Sequence, residues 1–144
     1  MSHLAGKGFK LIKKVYADLT GYDTAAAFTV TGDVEVIAKG VVGATGITST
    51  SGTTTLELST PGTAGGFSAL IPETIIDNAN FAAGDVWVDG VAEADAAYSP
   101  TNVGAIANGA DLSLVRSADD ITAGSLTVYL FWRKLSANGK VVAA

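Results

Sequence analysis

No cysteine occurs in the sequence, which excludes disulfide staples, thiolate metal ligands and cysteine nucleophiles. The absence leaves the compartment open, because cytosolic and extracellular β proteins alike can lack cysteine. The one histidine, His3, has no carboxylate before Asp18 to orient it. It reads as a chain-end residue and not as a catalytic base, and a multi-histidine metal site within one chain is excluded. Long apolar runs are also missing: the uncharged stretch Ile121–Trp132 stops at 12 residues, short of the roughly 20 that a membrane helix needs. Near the start, Lys7, Lys10, Lys13 and Lys14 interrupt every apolar run, so no secretory core is expected there. No GxxxxGK[ST] phosphate loop occurs, and Gly6-Lys7-Gly8 has neither its spacing nor its hydroxyl. Charge is scarce as well, at 16% of residues against roughly 25% in typical soluble domains.

What is present is apolar. Hydrophobic residues make up 48% of 144 positions, enough for one core without staples and for surface that meets protein instead of water. The charges are segregated: residues 1–17 carry four lysines and no acid, +4, and the rest carry five basic and fourteen acidic residues, −9, which sums to the net −5. An acidic body lacks the basic face of a nucleic-acid binder, although the arm alone could touch phosphate or an acidic protein surface; nucleic acid is not an expected partner, nor, without a span, is a membrane.

Short β-branched runs divided by Gly, Thr, Ser, Asn and Asp recur throughout, and no segment holds a helical apolar period. The expected fold is all-β, a β-sandwich or jelly roll of about eight strands: 10–19, 27–31, 34–42, 53–59, 67–71, 85–88, 111–116 and 125–135. Residues 1–9 form an N-terminal arm and 10–144 a single domain. Thr31-Gly32-Asp33 predicts a hairpin, Asn108-Gly109 and Asn138-Gly139 predict turns, and residues 43–55 an exposed loop. A helical turn is expected within 72–83, as a crossover and not a long helix, and the six residues 92–97 are too few to assign.

The stretch from Gly124 to Arg133 is apolar on both faces. As a strand it points Leu126, Val128, Leu130 and Trp132 one way and Thr127, Tyr129, Phe131 and Arg133 the other, and both faces need cover. Tyr129, Phe131, Trp132 and Trp87 are therefore the candidates for a subunit interface. In the arm, Phe9, Leu11, Ile12, Val15 and Tyr16 interleave with lysines, which makes Lys7, Phe9, Lys10, Lys13 and Lys14 the candidates for partner binding, either as a strand added to a partner's sheet or as the first strand of the chain's own sheet. The acids Asp77, Asp85, Asp89, Glu93 and Asp95 lack calcium-loop spacing and read as turn formers and surface charge, not as a metal site. Asp119-Asp120 read as turn caps. No nucleophile, base and orienting group assemble into a catalytic set, so neither enzyme activity nor a cofactor is expected.

With these residues in view, FTVTGDVEVIAKGVVG at 28–43, ETIIDNANFAAGDVWVDG at 73–90 and ITAGSLTVYLFWRKLSANGKVVAA at 121–144 resemble a group of small tailed-bacteriophage structural proteins, the capsid decoration or cement proteins. The resemblance implies a β-sandwich or jelly-roll subunit, a homotrimer on the outer capsid of the virion, with the major capsid protein as partner and no catalytic residue to carry over. The competing expectations are another virion component, such as a tail, fibre or head-spike subunit, and a carbohydrate-binding module that stacks sugars on Trp87 or Trp132.

Overall fold

The computed structural model describes residues 8–60, 69–77, 80–89, 92–93 and 105–144. Among the expectations above, His3, Lys7, Asp95 and residues 67–68 and 94–97 lie outside them. The described chain is all-β, with thirteen strands and no helix. They are β1 (Lys10–Tyr16), β2 (Ala25–Thr31), β3 (Asp33–Val42), β4 (Thr48–Ser49), β5 (Thr55–Ser59), β6 (Ile71–Ile75), β7 (Val86–Trp87), β8 (Ala92–Glu93), β9 (Ala105–Asn108), β10 (Leu112–Ser117), β11 (Ile121–Ala123), β12 (Leu126–Lys134) and β13 (Lys140–Ala143).

Two antiparallel sheets share one core. The larger runs β1-β12-β3-β7-β8 with β9 also on β3, the smaller runs β13-β2-β10-β5-β6, and β4 and β11 form a separate two-stranded ribbon. Alternation explains the core. Leu126, Val128, Leu130 and Trp132 of β12 face inward with Val34, Val36, Ala38 and Val42 of β3, and meet Phe28, Leu56, Leu58, Leu112 and Leu114 of the smaller sheet. These side chains are almost wholly removed from water, and each buried aliphatic contributes roughly 1.5–3 kcal/mol.

The predicted hairpin at Thr31-Gly32-Asp33 is a reversal of another kind: β2 belongs to the smaller sheet and β3 to the larger, so the chain changes sheets there. Two further connections do the same at that end, β9 to β10 through Gly109 and β12 to β13 through 135–139. The three corners are tied together. Gly109 N–H donates to Gly32 O at 2.8 Å, Leu135 N–H to Asp33 O at 2.9 Å, and Asp33 N–H to Ser136 Oγ at 3.0 Å.

At the other end Arg116 is the fastener. Its Nε donates to Tyr22 O at 2.8 Å and its Nη1 to Ala118 O at 2.7 Å and Asp119 O at 2.9 Å, while Asp23 and Asp120 balance the charge. A planar guanidinium makes this fan of bonds possible, and a lysine has no such fork.

Among the described residues of 72–83 no helical turn is present. Ile71–Ile75 pairs with β5 as a strand, and Phe81–Asp85 is a turn whose Ala82 N–H is capped by the Asp85 carboxylate at 3.0 Å. Asp85 is thus buried, not a surface charge on the strand face, although its role as a turn former stands. Ala92–Glu93, within the segment too short to assign, pairs with β7 as a strand.

Tyr16, at the end of β1, meets Tyr22 edge-on, with ring centroids 5.5 Å apart. Its buried hydroxyl makes no hydrogen bond of ordinary geometry among the described residues, and burial first, then the neighbouring Tyr22 phenol, holds it above its usual range, as burial does Tyr22. The folded state therefore keeps these protons after the unfolded chain releases them. The contribution of these two phenols to stability is constant below the unfolded phenol value near pH 10 and falls as pH rises beyond it. Tyr16→Phe removes the unpaired hydroxyl, so urea unfolding at pH 8 is expected to show a gain of about 1 kcal/mol. The same titration at pH 10.5 is expected to show a shallower alkaline loss than in the parent; equal losses in both proteins overturn the assignment.

Candidate functional site

The outward face of the larger sheet is built by register. On β1, β12 and β3, Leu11 lies opposite Phe131 and Phe131 opposite Ile37, Lys13 opposite Tyr129 and Tyr129 opposite Lys39, and Val15 opposite Thr127 and Thr127 opposite Val41. Directly opposed residues share a face, so these nine form three rows across the three strands. Phe9, just before β1, joins Ile37, Phe131 and Tyr129 in a second apolar cluster, separate from the main core.

This face is part dry and part open. Ile37 and Phe131 are buried at 3% and 6% exposure, yet Leu11 and Val15 remain 58% and 56% exposed. Cations frame the aromatics: Lys39 Nζ lies 5.5 Å from the Tyr129 ring centre, and the Arg133 guanidinium lies 5.0 Å from that of Phe9. Arg133 Nε in turn donates to Glu35 Oε1 at 2.5 Å across the strand pair, which fixes the guanidinium beside Phe9.

The partner-binding and interface candidates therefore meet on one surface. Phe9 and Lys13 sit with Tyr129 and Phe131, while Lys10 and Lys14, at the opposite parity of β1, turn toward the other side of the sheet. Lys10 Nζ stands 5.3 Å from the Trp132 ring centre, and Lys14 donates to the carbonyl of Ala144 and lies 5.8 Å from the Tyr16 ring centre. Of the two readings of the arm, its Lys10–Tyr16 portion is a strand of the chain's own sheet, paired along its whole length with β12.

Two interface candidates are corrected. Trp87 is 0% exposed: its indole N–H donates to Thr74 Oγ1 of β6 at 2.8 Å, and its ring packs edge-on against Phe81 at 5.4 Å. It ties one sheet to the other and offers nothing to a second subunit. Trp132, at 9% exposure, faces the core with Lys10 over its ring. Neither indole presents an open face for a sugar, so the carbohydrate-stacking reading loses its platform.

Residues outside the prediction complete the site. Leu11, Val15, Ile37, Lys39 and Val41 were legible as strand residues, but their common face depends on β1, β12 and β3 lying side by side. A cavity of about 260 Å³ opens at the other end of the molecule, lined by Ile47, Thr48, Ser49, Thr50, Ser51, Gly52, Ile76 and Asp77. Its hydroxyls are engaged within the chain: Thr48 with Thr122, Ser49 with Ser51 O, and Thr50 with Asp120 O. Comparison of the chain with protein-family models, curated proteins and solved structures gives no match.

Proposed function

We propose that this chain is a structural virion protein, a capsid decoration protein of a tailed bacteriophage, which binds the outer surface of the head as a homotrimer and stabilises contacts between capsomers. The β-sandwich or jelly-roll form of such a subunit is part of this reading. One observation carries it. Leu11 and Val15 stay more than half exposed beside Phe131, Tyr129, Lys13 and Lys39 on a flat sheet face, an arrangement suited to a broad protein surface. A cement protein needs such a contact face and no reactive pocket, and three joined copies gain avidity from individually modest contacts. The three segments resembling decoration proteins support the same reading, and two of them supply β3 and β12 of this face.

Sedimentation with undecorated phage heads tests it. The parent protein is expected to pellet with the heads, and Leu11→Asp/Val15→Asp to bind at least tenfold more weakly with its fold intact, because both side chains are already in water. A parent protein that stays in the supernatant at every concentration overturns the assignment. Pelleting with isolated tails instead transfers it to a tail component.

A further inference from the structure

Both sheets end on the same two sides of the molecule, and the two sides differ in charge. On one side the terminal strands are β1 and β13, joined across the gap by the bond from Lys14 to Ala144 O. Of their charged residues, Lys10, Lys14 and Lys140 lie off the outward face of the larger sheet and Lys13 stands on it; the two strands hold no acid, and Asp18 follows β1 by two residues. On the other side the terminal strands are β6 and β8, with β7 just inside β8, and the uncharged β9, which continues the edge of β3. This side carries Glu73 in β6, Asp77 after it and Asp89 after β7, and the sequence holds no lysine or arginine between Lys39 and Arg116. Each side also keeps an aliphatic residue in water: Val142 of β13 is 40% exposed and Ile75 of β6 is 47% exposed.

Edge strands present backbone N–H and C=O groups that pair readily with another chain, and lysines on an edge oppose pairing with an identical edge. Two copies of the basic side repel, and two copies of the acidic side repel. The combination left is basic against acidic, a head-to-tail contact that joins a different patch on each partner and forms a ring when the rotation closes.

We propose that copies of this chain associate edge to edge, the lysine side formed by β1 and β13 of one copy against the acidic side formed by β6 and β8 of the next. The proposal rests on the homo-oligomeric part of the functional reading and specifies its interface. It leaves the outward face of the larger sheet free for the shell, so sister contacts and shell contacts use separate surfaces.

Carbodiimide joins an amine to a carboxylate only where the two touch, so it reads this interface directly. In an equal mixture of ¹⁴N- and ¹⁵N-labelled protein, the expected cross-links are mixed-isotope pairs that connect Lys10, Lys14 or Lys140 to Glu73 or Asp77. In sedimentation velocity, Lys10→Glu/Lys140→Glu is expected to weaken self-association at least tenfold, and raising salt from about 0.05 to about 0.5 M to weaken that of the parent, because screening shortens the reach of exposed charges. An oligomeric parent whose cross-links avoid these peptides, or whose association ignores both the reversal and salt, overturns the edge contact alone. A parent that sediments as a monomer at every concentration overturns it together with the homotrimer.

Discussion

Trp87→Ala is expected to cost about 3–5 kcal/mol of folding stability, the range for removing a fully buried aromatic side chain. A domain of this size typically has only about 5–15 kcal/mol in total, so the loss is a large fraction of it. The reason is local. The indole lies across Gly40, where a β-carbon would stand 2.8 Å from Trp87 Cε3, so β3 is pared to a glycine to admit the ring. Its N–H then reaches Thr74 in the other sheet, whose hydroxyl is shared with the carbonyls of Pro72 and Asp89. Truncation opens a cavity and breaks the polar tie in one step. Urea unfolding followed by circular dichroism measures the loss; a stability within about 1 kcal/mol of the parent would show that the indole does not hold the sheets together.

Gly124→Ala is the second large effect, expected at about 3 kcal/mol or more. Gly124 has φ +135°, a conformation that is essentially glycine's alone, and it adjoins β12 at the point where the chain leaves β11. A β-carbon there would also lie 2.6 Å from the Ile47 Cα, which is backbone and cannot rotate away. Strain and overpacking add. The Gly124 carbonyl meanwhile accepts the Leu19 N–H at 2.8 Å, so any shift of this segment loosens the loop after β1. Gly52→Ala is the control: a methyl group on Gly52 would meet nothing within 4 Å and its φ is ordinary, so the melting temperature of that variant is expected to stay near that of the parent. Equal melting temperatures for the two variants would remove the argument.

The long central strands were legible because their signal is dense. The sequence predicts strands over Val34–Val42 and Ser125–Leu135, and Asp33–Val42 and Leu126–Lys134 are observed, since sustained alternation of bulky residues fits only a strand covered on both faces. The destination of Gly32 was not legible. Turn chemistry dictates that the chain reverses, but the choice between pairing with β2 and crossing to the other sheet depends on β12 and β10, which take the places beside β3 and β2. The segment after Pro72 misled because Ile75 and Ile76 look like one face of a helix; in the strand and its exit they part, one 47% exposed and the other 2%. Trp87 misled in the opposite sense, since flanking aspartates and valines gave no sign that Gly40 would receive the ring.

For the site, parity within Lys10–Tyr16 was readable and separates Lys13 from Lys10 and Lys14. The meeting of Phe9 and Lys13 with Tyr129 and Phe131 required the pairing of β1 with β12, a contact between distant parts of the chain that no local pattern encodes.

That pairing also sets a schedule. Lys10 is matched with Trp132, so the first strand waits for more than a hundred further residues before its neighbour exists, roughly 6–24 s at ribosomal speeds of about 5–20 residues per second. Until β12 emerges there is no surface for Phe9 and Leu11 to share with Phe131, and a half-made chain has nothing coherent to dock with. In the proposed role, particle recruitment is thereby reserved for molecules whose translation has passed β12, a quality check that comes from strand order alone.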